Sequence, residues 1–405
     1  MSSSPAHWLS IFWVFLRLGL TSFGGPVAHL GYFRQELVEQ RRWLSEQGYA
    51  DLVALCQFLP GPASSQVGMA LGLMRGGWAG ALAAWVGFTA PSAVVLALLG
   101  LGFSSAGTGV PAGLVHGLKL VAVAVVAQAV WGMARSLCAT AGRAVLMALA
   151  CGLTLGWPGV AGQLATMLVA GVIGWLAWGR QGIASQPPAQ ADAWHVPVSH
   201  RVGGALLGLF ALLLVLLPLA AGLPAAGQGV AVFDAFYRAG ALVFGGGHVV
   251  LPLLETAVVG PGWVPADAFL AGYGAAQAVP GPLFTFAAFL GGAMAPGWSG
   301  VGLAVVAILG IFLPAFLLVA GALPLWAQWR SKAWARGVLT GVNAAVVGLL
   351  LAALVHPVAT SALRSAGDGV VVTVALLALM RWRVPPWLVV LAAALVAWAA
   401  SRWMA

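Results

Sequence analysis

Gln57-Phe58-Leu59-Pro60-Gly61-Pro62 interrupts an apolar stretch, and its pattern returns as Gln277-Ala278-Val279-Pro280-Gly281-Pro282 inside another. Pro-Gly-Pro does not run through a helix. Each proline removes an amide donor and clashes with the preceding turn, at a cost of about 3 kcal/mol, and glycine loosens what remains. In lipid such a break is held only where protein or a water-filled cavity satisfies the freed backbone groups. Two of them in one chain point to a path for something polar.

The class follows from composition. Of 405 residues, 61% are hydrophobic and 7% charged, and the mean hydropathy is +0.99, too few charges to cover a soluble domain of this length. The expected fold is an all-α polytopic membrane protein with discontinuous helices. The net charge of +9 comes from 18 basic residues without a run or stripe, so no nucleic-acid partner is expected. These residues read as topology signals, with attraction of an anion second. Cys56, Cys138 and Cys151 lie in apolar segments without metal-ligand spacing; no metal and no cofactor are expected. Neither a basic n-region nor a small-residue cleavage site precedes Trp8, so no cleaved signal peptide is expected.

Apolar segments cover residues 8–30, 50–74, 77–103, 113–134, 143–156 and 159–179, with a charged, helix-patterned stretch from Arg34 to Asp51. The run 143–156 is short of the ~20 residues that span a bilayer, so it pairs with the next as a thin hairpin. Residues 180–201 form a polar linker, expected in the cytoplasm, and one extra helix covers 202–224. From 225 the first half, 1–179, repeats. Arg17 with Ser22-Phe23-Gly24-Gly25 is matched by Arg238 with Val243-Phe244-Gly245-Gly246. Gln57 to Pro62 is matched by Gln277 to Pro282, Trp78-Ala79-Gly80 by Trp298-Ser299-Gly300, Pro91 by Pro314 and Gly117 by Gly337. Landmarks in one order at one offset make this a duplicated domain.

Loop charges orient the copies. Arg75, Arg135, Arg143, Arg180 and Arg201 mark one set of loops in the first half, while Arg330, Lys332, Arg336, Arg381 and Arg383 fill the opposite set in the second. The bias is inverted, which predicts repeats of inverted topology and about 13 transmembrane segments, with the N-terminus inside. Arg34, Arg41, Arg42, Arg364 and Arg402 then fall on the outer side, against the rule.

Inverted repeats with broken helices bring half-helix N-termini toward the midplane, where unpaired amides and the helix dipole favour an anion. After Gln57, Pro60, Gly61 and Pro62 come Ser64, Ser65 and Gln66, a helix start that also donates to oxygen. The second copy, with Gln277, Pro280, Gly281, Pro282 and Thr285, is more apolar and suits a wall or gate. Phe23, Gly24, Gly25 and Pro26, with Phe244, Gly245, Gly246, Gly247 and His248, form paired hinges or backbone-lined sites. Arg17 and Arg238 lie in apolar segments; Asp234 stands four residues before Arg238, whereas Arg17 has no local partner and suits an anion counter-charge. Glu36 and Glu255 are candidates for proton coupling, and a packed, hydrogen-bonded histidine is the ordinary account of His29.

With Phe23 to Pro26, Ala28-His29, Glu36, Arg42-Trp43-Leu44, Leu59 to Pro62 and Gln66, the chain resembles the chromate ion transporter family in its long two-domain form. Phe244 to His248, Pro252-Leu253 and Gly272-Tyr273 through Pro282 carry the likeness in the second half. The resemblance implies a secondary active transporter that exports chromate across the bacterial inner membrane. It would be driven by the membrane potential or proton gradient and would confer chromate resistance. Implied partners are chromate or a related tetrahedral oxyanion, protons, membrane lipid and a second copy in a homodimer. A sulfate or broader oxyanion transporter is the nearest alternative, and a non-transporting membrane scaffold is one from another class. An enzyme is not expected, since no nucleotide-binding loop, metal motif or nucleophile constellation is present.

Overall fold

The computed structural model describes residues 5–23, 25–106, 111–179, 196–244, 249–326 and 332–403, and every regular element among them is helical. The first half comprises α1 (Pro5–Thr21), α2 (Gly25–Phe33), a π-helical turn (Arg34–Gln40), α3 (Glu46–Phe58), α4 (Ala63–Ala106), α5 (Ala112–Leu137), α6 (Ala141–Gly156) and α7 (Val160–Trp178). The separate helix α8 (His200–Ala221) follows. The second half comprises α9 (Gln228–Ala241), α10 (Val250–Val258), α11 (Ala266–Ala276), a 3-10 turn (Leu283–Thr285) running into α12 (Phe286–Ala293), α13 (Gly297–Ala322), α14 (Ala333–Ala353), α15 (Ala366–Met380) and α16 (Pro386–Trp403). Six described helices are long and apolar enough to cross a membrane and five more are apolar but shorter, so the chain is a multi-pass membrane protein.

Side chains set the starts of several helices. Ser45 caps α3 by accepting from Gly48 N at 3.0 Å, and Ser199 caps α8 by accepting from Val202 N at 3.3 Å. Ser365 and Asp368 form a reciprocal capping box on α15.

The boundary between the apolar segments 50–74 and 77–103 falls where α4 folds back on itself, at Gly76 and Gly77, whose backbone angles are not helical. Its limbs, 63–75 and 78–106, lie so close that a Cβ on Gly72 would strike the backbone of Gly80 and Ala81. Only small residues permit such an approach. α1 lies along both limbs, with Ile11 against Gly76 and Gly80 and Phe15 against Gly68. In the second half α12 turns back into α13 at Gly297, Gly291 sits on Leu303 and Ala304, and α9 lies along α13. The two turns stand at opposite ends of the bundle. The second limb of α4 runs from Gly77 to where Ser104 Oγ donates to Ala295 O at 3.2 Å, beside the Gly297 turn. Left-handed backbone at Arg42, Gly61 and Gly77 recurs 220 residues later at Gly262, Gly281 and Gly297.

The halves exchange partners. α5 packs against α11, α15 and α16, while α14 packs against α6 and α7. A Cβ on Gly117 would stand 2.6 Å from Ala393 O, and one on Gly337 2.5 Å from the Gly179 backbone. α8 covers α9 and α13, where Tyr237 Oη donates to Phe210 O at 3.0 Å.

Two expectations change. The count near 13 takes residues 8–30 and 50–74 as crossings, but each is divided at its Gly/Pro break into pieces too short for a ~30 Å core. α2, α3, α10, α11 and α12 have 9, 13, 9, 11 and 8 residues. Nor does the segment of Arg34, Arg41 and Arg42 lie away from Arg75, one of the residues that mark the opposite set of loops. α2 turns back along α1, placing Phe33 5.5 Å from Phe15, and the Arg75 guanidinium lies 4.8 Å over Trp43 at the Gly77 end. Most of the polar linker, residues 180–195, is outside the described residues.

Candidate functional site

Each Pro-Gly-Pro break sits on the end of the first helix of the other half. Gly61 N donates to Val243 O at 2.6 Å and Gly281 N donates to Ser22 O at 3.0 Å. Both glycines hold positive φ, 121° and 103°, which side chains oppose. There is no room for one either: a Cβ would come within 3.0 Å of Gln66 Nε2 at Gly61 and 2.8 Å of Ser92 Oγ at Gly281. The chain thus satisfies the glycine amides left at its two breaks with carbonyls just past the ends of α9 and α1, which is how a broken helix survives inside a membrane protein.

The polar chemistry gathers on the first-half side of this crossing. α4 starts directly after Pro62, and its first intrahelical bond is Gln66 N to Pro62 O at 2.9 Å, so the amides of Ala63, Ser64 and Ser65 have no partner within the helix. Ser64 Oγ lies 3.4 Å from His29 Nδ1, and His29, only 1% exposed, stands beside the Ser22 backbone and edge-on to Phe88. Among the described residues, Ser22 Oγ, His29 Nε2, Ser65 Oγ and Thr89 Oγ1 are buried without a hydrogen-bond partner. Several unsatisfied groups on three neighbouring elements are costly unless something fills them. All of them except an acceptor tautomer of histidine donate a proton, the need of an oxyanion. Gln66 differs: its amide donates to Pro60 O at 2.8 Å, bracing the turn, and leaves only an acceptor.

The second break is drier. Thr285 Oγ1 donates to Pro282 O at 2.7 Å, and Leu283, Phe284 and Phe286 are buried around it. Gln277, whose Nε2 is buried without a partner among the described residues, lines a cavity of about 50 Å³ with Gln128, Gly25, Gly281 and Pro386.

The remaining expected residues spread wider. Arg17 is exposed on the outer side of α1, away from the crossing, and Gln57 is exposed at the end of α3. Arg238 is bound to Asp234 at 3.0 and 2.5 Å and lines a cavity of about 370 Å³ walled by α8, α9 and α10. Glu36 is buried and accepts from Arg41 Nε at 2.8 Å, whereas Glu255 is half-buried on α10. The Phe23 ring meets Trp387 at 6.4 Å, and Phe244 is half-buried where its segment reaches the crossing. Pro26 lies within α2; Gly24, Gly245, Gly246, Gly247 and His248 lie outside the described residues. No cluster of three or more His, Cys, Asp or Glu able to hold a metal occurs among the described residues.

Sequence reasoning missed His29, Ser22 and Thr89 as members of the cluster. Ser22 carries a usable signal, since it is the position matched by Val243 and the only hydroxyl of that pair. It also missed Lys119, buried in α5 and bound to Asp267 at 2.6 Å.

A family model described as "Chromate transporter" matches residues 9–175 and again 230–398. A chromate transport protein of Pseudomonas aeruginosa is 30% identical over 325 residues, 77% of this chain and 72% of that protein. A probable chromate transport protein of Synechococcus elongatus is 29% identical over 348 residues, 84% and 82% of the two chains. One of Cupriavidus metallidurans is 28% identical over 350 residues, 84% and 80%. No solved structure matches.

Proposed function

The chain belongs to the chromate transporter family, and from that premise we propose that it carries chromate or a closely similar tetrahedral oxyanion across the bacterial inner membrane as a secondary active transporter. The observation that supports this best is the crossing itself. Backbone breaks from both halves meet, and Ser22, His29, Ser65 and Thr89 present buried donors there without partners among the described residues. A dianion in a low-dielectric site needs converging donors, and a helix N-terminus adds its dipole. Ser64, Ser65 and the amides that follow Pro62 hold the oxyanion in this reading, His29 donates from the side, and Gln66 keeps the turn.

The two halves act as inverted repeats. Reciprocal bonds at the crossing, turns at opposite ends and left-handed positions 220 residues apart support this. The pairs α1–α2 and α3–first limb of α4 enter and leave by one face, and so do their counterparts by the other. That leaves nine crossings: the second limb of α4, α5 to α8, and α13 to α16. With this topology Arg34, Arg41, Arg42 and Arg75 share a face with Arg135, Arg143, Arg201, Lys332 and Arg336, which the positive-inside rule makes cytoplasmic. Arg364 and the end of α16 stay outside.

Export draws on the membrane potential or proton gradient. Glu255, without the arginine that Glu36 has, is the better candidate to carry a proton. Everted vesicles should accumulate chromate, a protonophore should lower the uptake, and sulfate should compete because shape and charge are what the donors read. Uptake no greater than in vector vesicles would remove the assignment.

A further inference from the structure

Lys119 is the most deeply buried cation of the described residues, its side chain 1% exposed, and α5 carries it into the bundle seven residues after its start. Its partner is Asp267 at the start of α11, at 2.6 Å, and that carboxylate is 59% exposed. The pair therefore consists of an enclosed ammonium capped from the open side by a removable anion. It stands at the Gly297 end, three residues beyond His116, whose Nε2 lies 2.7 Å from Asp368 of α15. Below it the seam between α5 and α11 closes tightly, since a Cβ on Gly274 would strike Leu118 O. The same two helices then open on the cavity lined by Gln128 and Gln277.

The arrangement has no counterpart at the other end. At the 220-residue spacing, Leu339 corresponds to Lys119 and Gln47 to Asp267, and α14 does not pack along α3 as α5 does along α11. A lysine kept only to join helices would serve either end; this one is enclosed where a single seam separates the central cavity from one face.

We propose that Lys119 is a second oxyanion-binding residue on the transport path, occupied in this state by the Asp267 carboxylate, which the substrate replaces as it crosses the α5–α11 seam. The proposal rests on the chromate reading. Both anions offer oxygens to one ammonium, so substrate and carboxylate compete, and displacing Asp267 removes one tie between α11 and α5.

Equilibrium binding of radiolabelled chromate to the purified full chain, and uptake into everted vesicles against chromate concentration, test it with three variants. Lys119→Gln should raise the half-saturating concentration about tenfold, the size of one charge-assisted contact, and Asp267→Asn should lower the dissociation constant by a similar factor. The neutral pair Lys119→Gln with Asp267→Asn removes any uncompensated charge and serves as the folded control, checked by its melting temperature. It should remain as weak as Lys119→Gln alone. Restoration of wild-type binding and uptake by the neutral pair would make Lys119–Asp267 a structural tie and overturn the inference while leaving the chromate assignment intact. Wild-type protein that neither binds nor carries chromate overturns both.

Discussion

Ser65 and Thr285 occupy corresponding places after the two breaks but spend their hydroxyls differently. Ser65 Oγ is buried without a partner among the described residues, whereas Thr285 Oγ1 braces Pro282 O. Replacing Ser65 by alanine removes no hydrogen bond within the protein, so the melting temperature should hold or rise, yet chromate uptake should need roughly tenfold more substrate. Thr285→Ala should do the reverse, losing about 1 kcal/mol of stability with little change in half-saturation. Thermal melting in detergent paired with uptake kinetics checks both; a drop in stability for Ser65→Ala without an uptake effect would return Ser65 to the packing. At this scale the sequence marks Ser64 and Ser65 because they adjoin a backbone break, and the structure buries both there. The sequence was opaque where a residue reaches the site from another helix, as His29 does, and it misled at Arg17, because an apolar segment does not say which of its faces turns inward.

Half-length helices are the elements that make the crossing possible, and Gly77 is where one is produced. Its φ of +61° makes the turn, and a Cβ there would meet nothing within 4 Å, so Gly77→Ala isolates the backbone cost, about 1–2 kcal/mol. Gly102, helical and equally unobstructed, supplies the contrast: Gly102→Ala should stabilise by about 0.5–1 kcal/mol. Melting temperatures of the two variants should therefore move in opposite directions. Pro-Gly-Pro announced its break in the sequence because proline removes a donor. The Gly76-Gly77 turn showed as the boundary between the apolar segments 50–74 and 77–103, marked by Arg75, but composition does not say that the limbs on either side of it lie against each other. The thin hairpin expected at 143–179 rested on length alone, and α6 and α7 occupy that stretch.

For the whole molecule, the arrangement of nine crossings is distinguished from thirteen by one comparison. Single cysteines at Gln40, Arg75 and Pro261, in a background lacking Cys56, Cys138 and Cys151, sample three exposed turns. An impermeant thiol reagent should find Gln40→Cys and Arg75→Cys on one face and Pro261→Cys on the other. Gln40→Cys and Arg75→Cys on opposite faces would restore a full crossing between them. Landmarks spaced alike foreshadow the twofold match of the family to residues 9–175 and 230–398, but composition does not count crossings, since a helix that turns back is as apolar as one that continues. The bond from Gly61 to Val243 joins residues 182 apart in the chain. At about 5–20 residues per second of synthesis, roughly 10–40 s separate the two partners at the ribosome. Through that interval the Gly61 amide waits in the bilayer without its acceptor, and the crossing is incomplete until the end of α9 arrives. A first half released early is thus an unfinished transporter, exposed for that time to the cell's quality-control proteases.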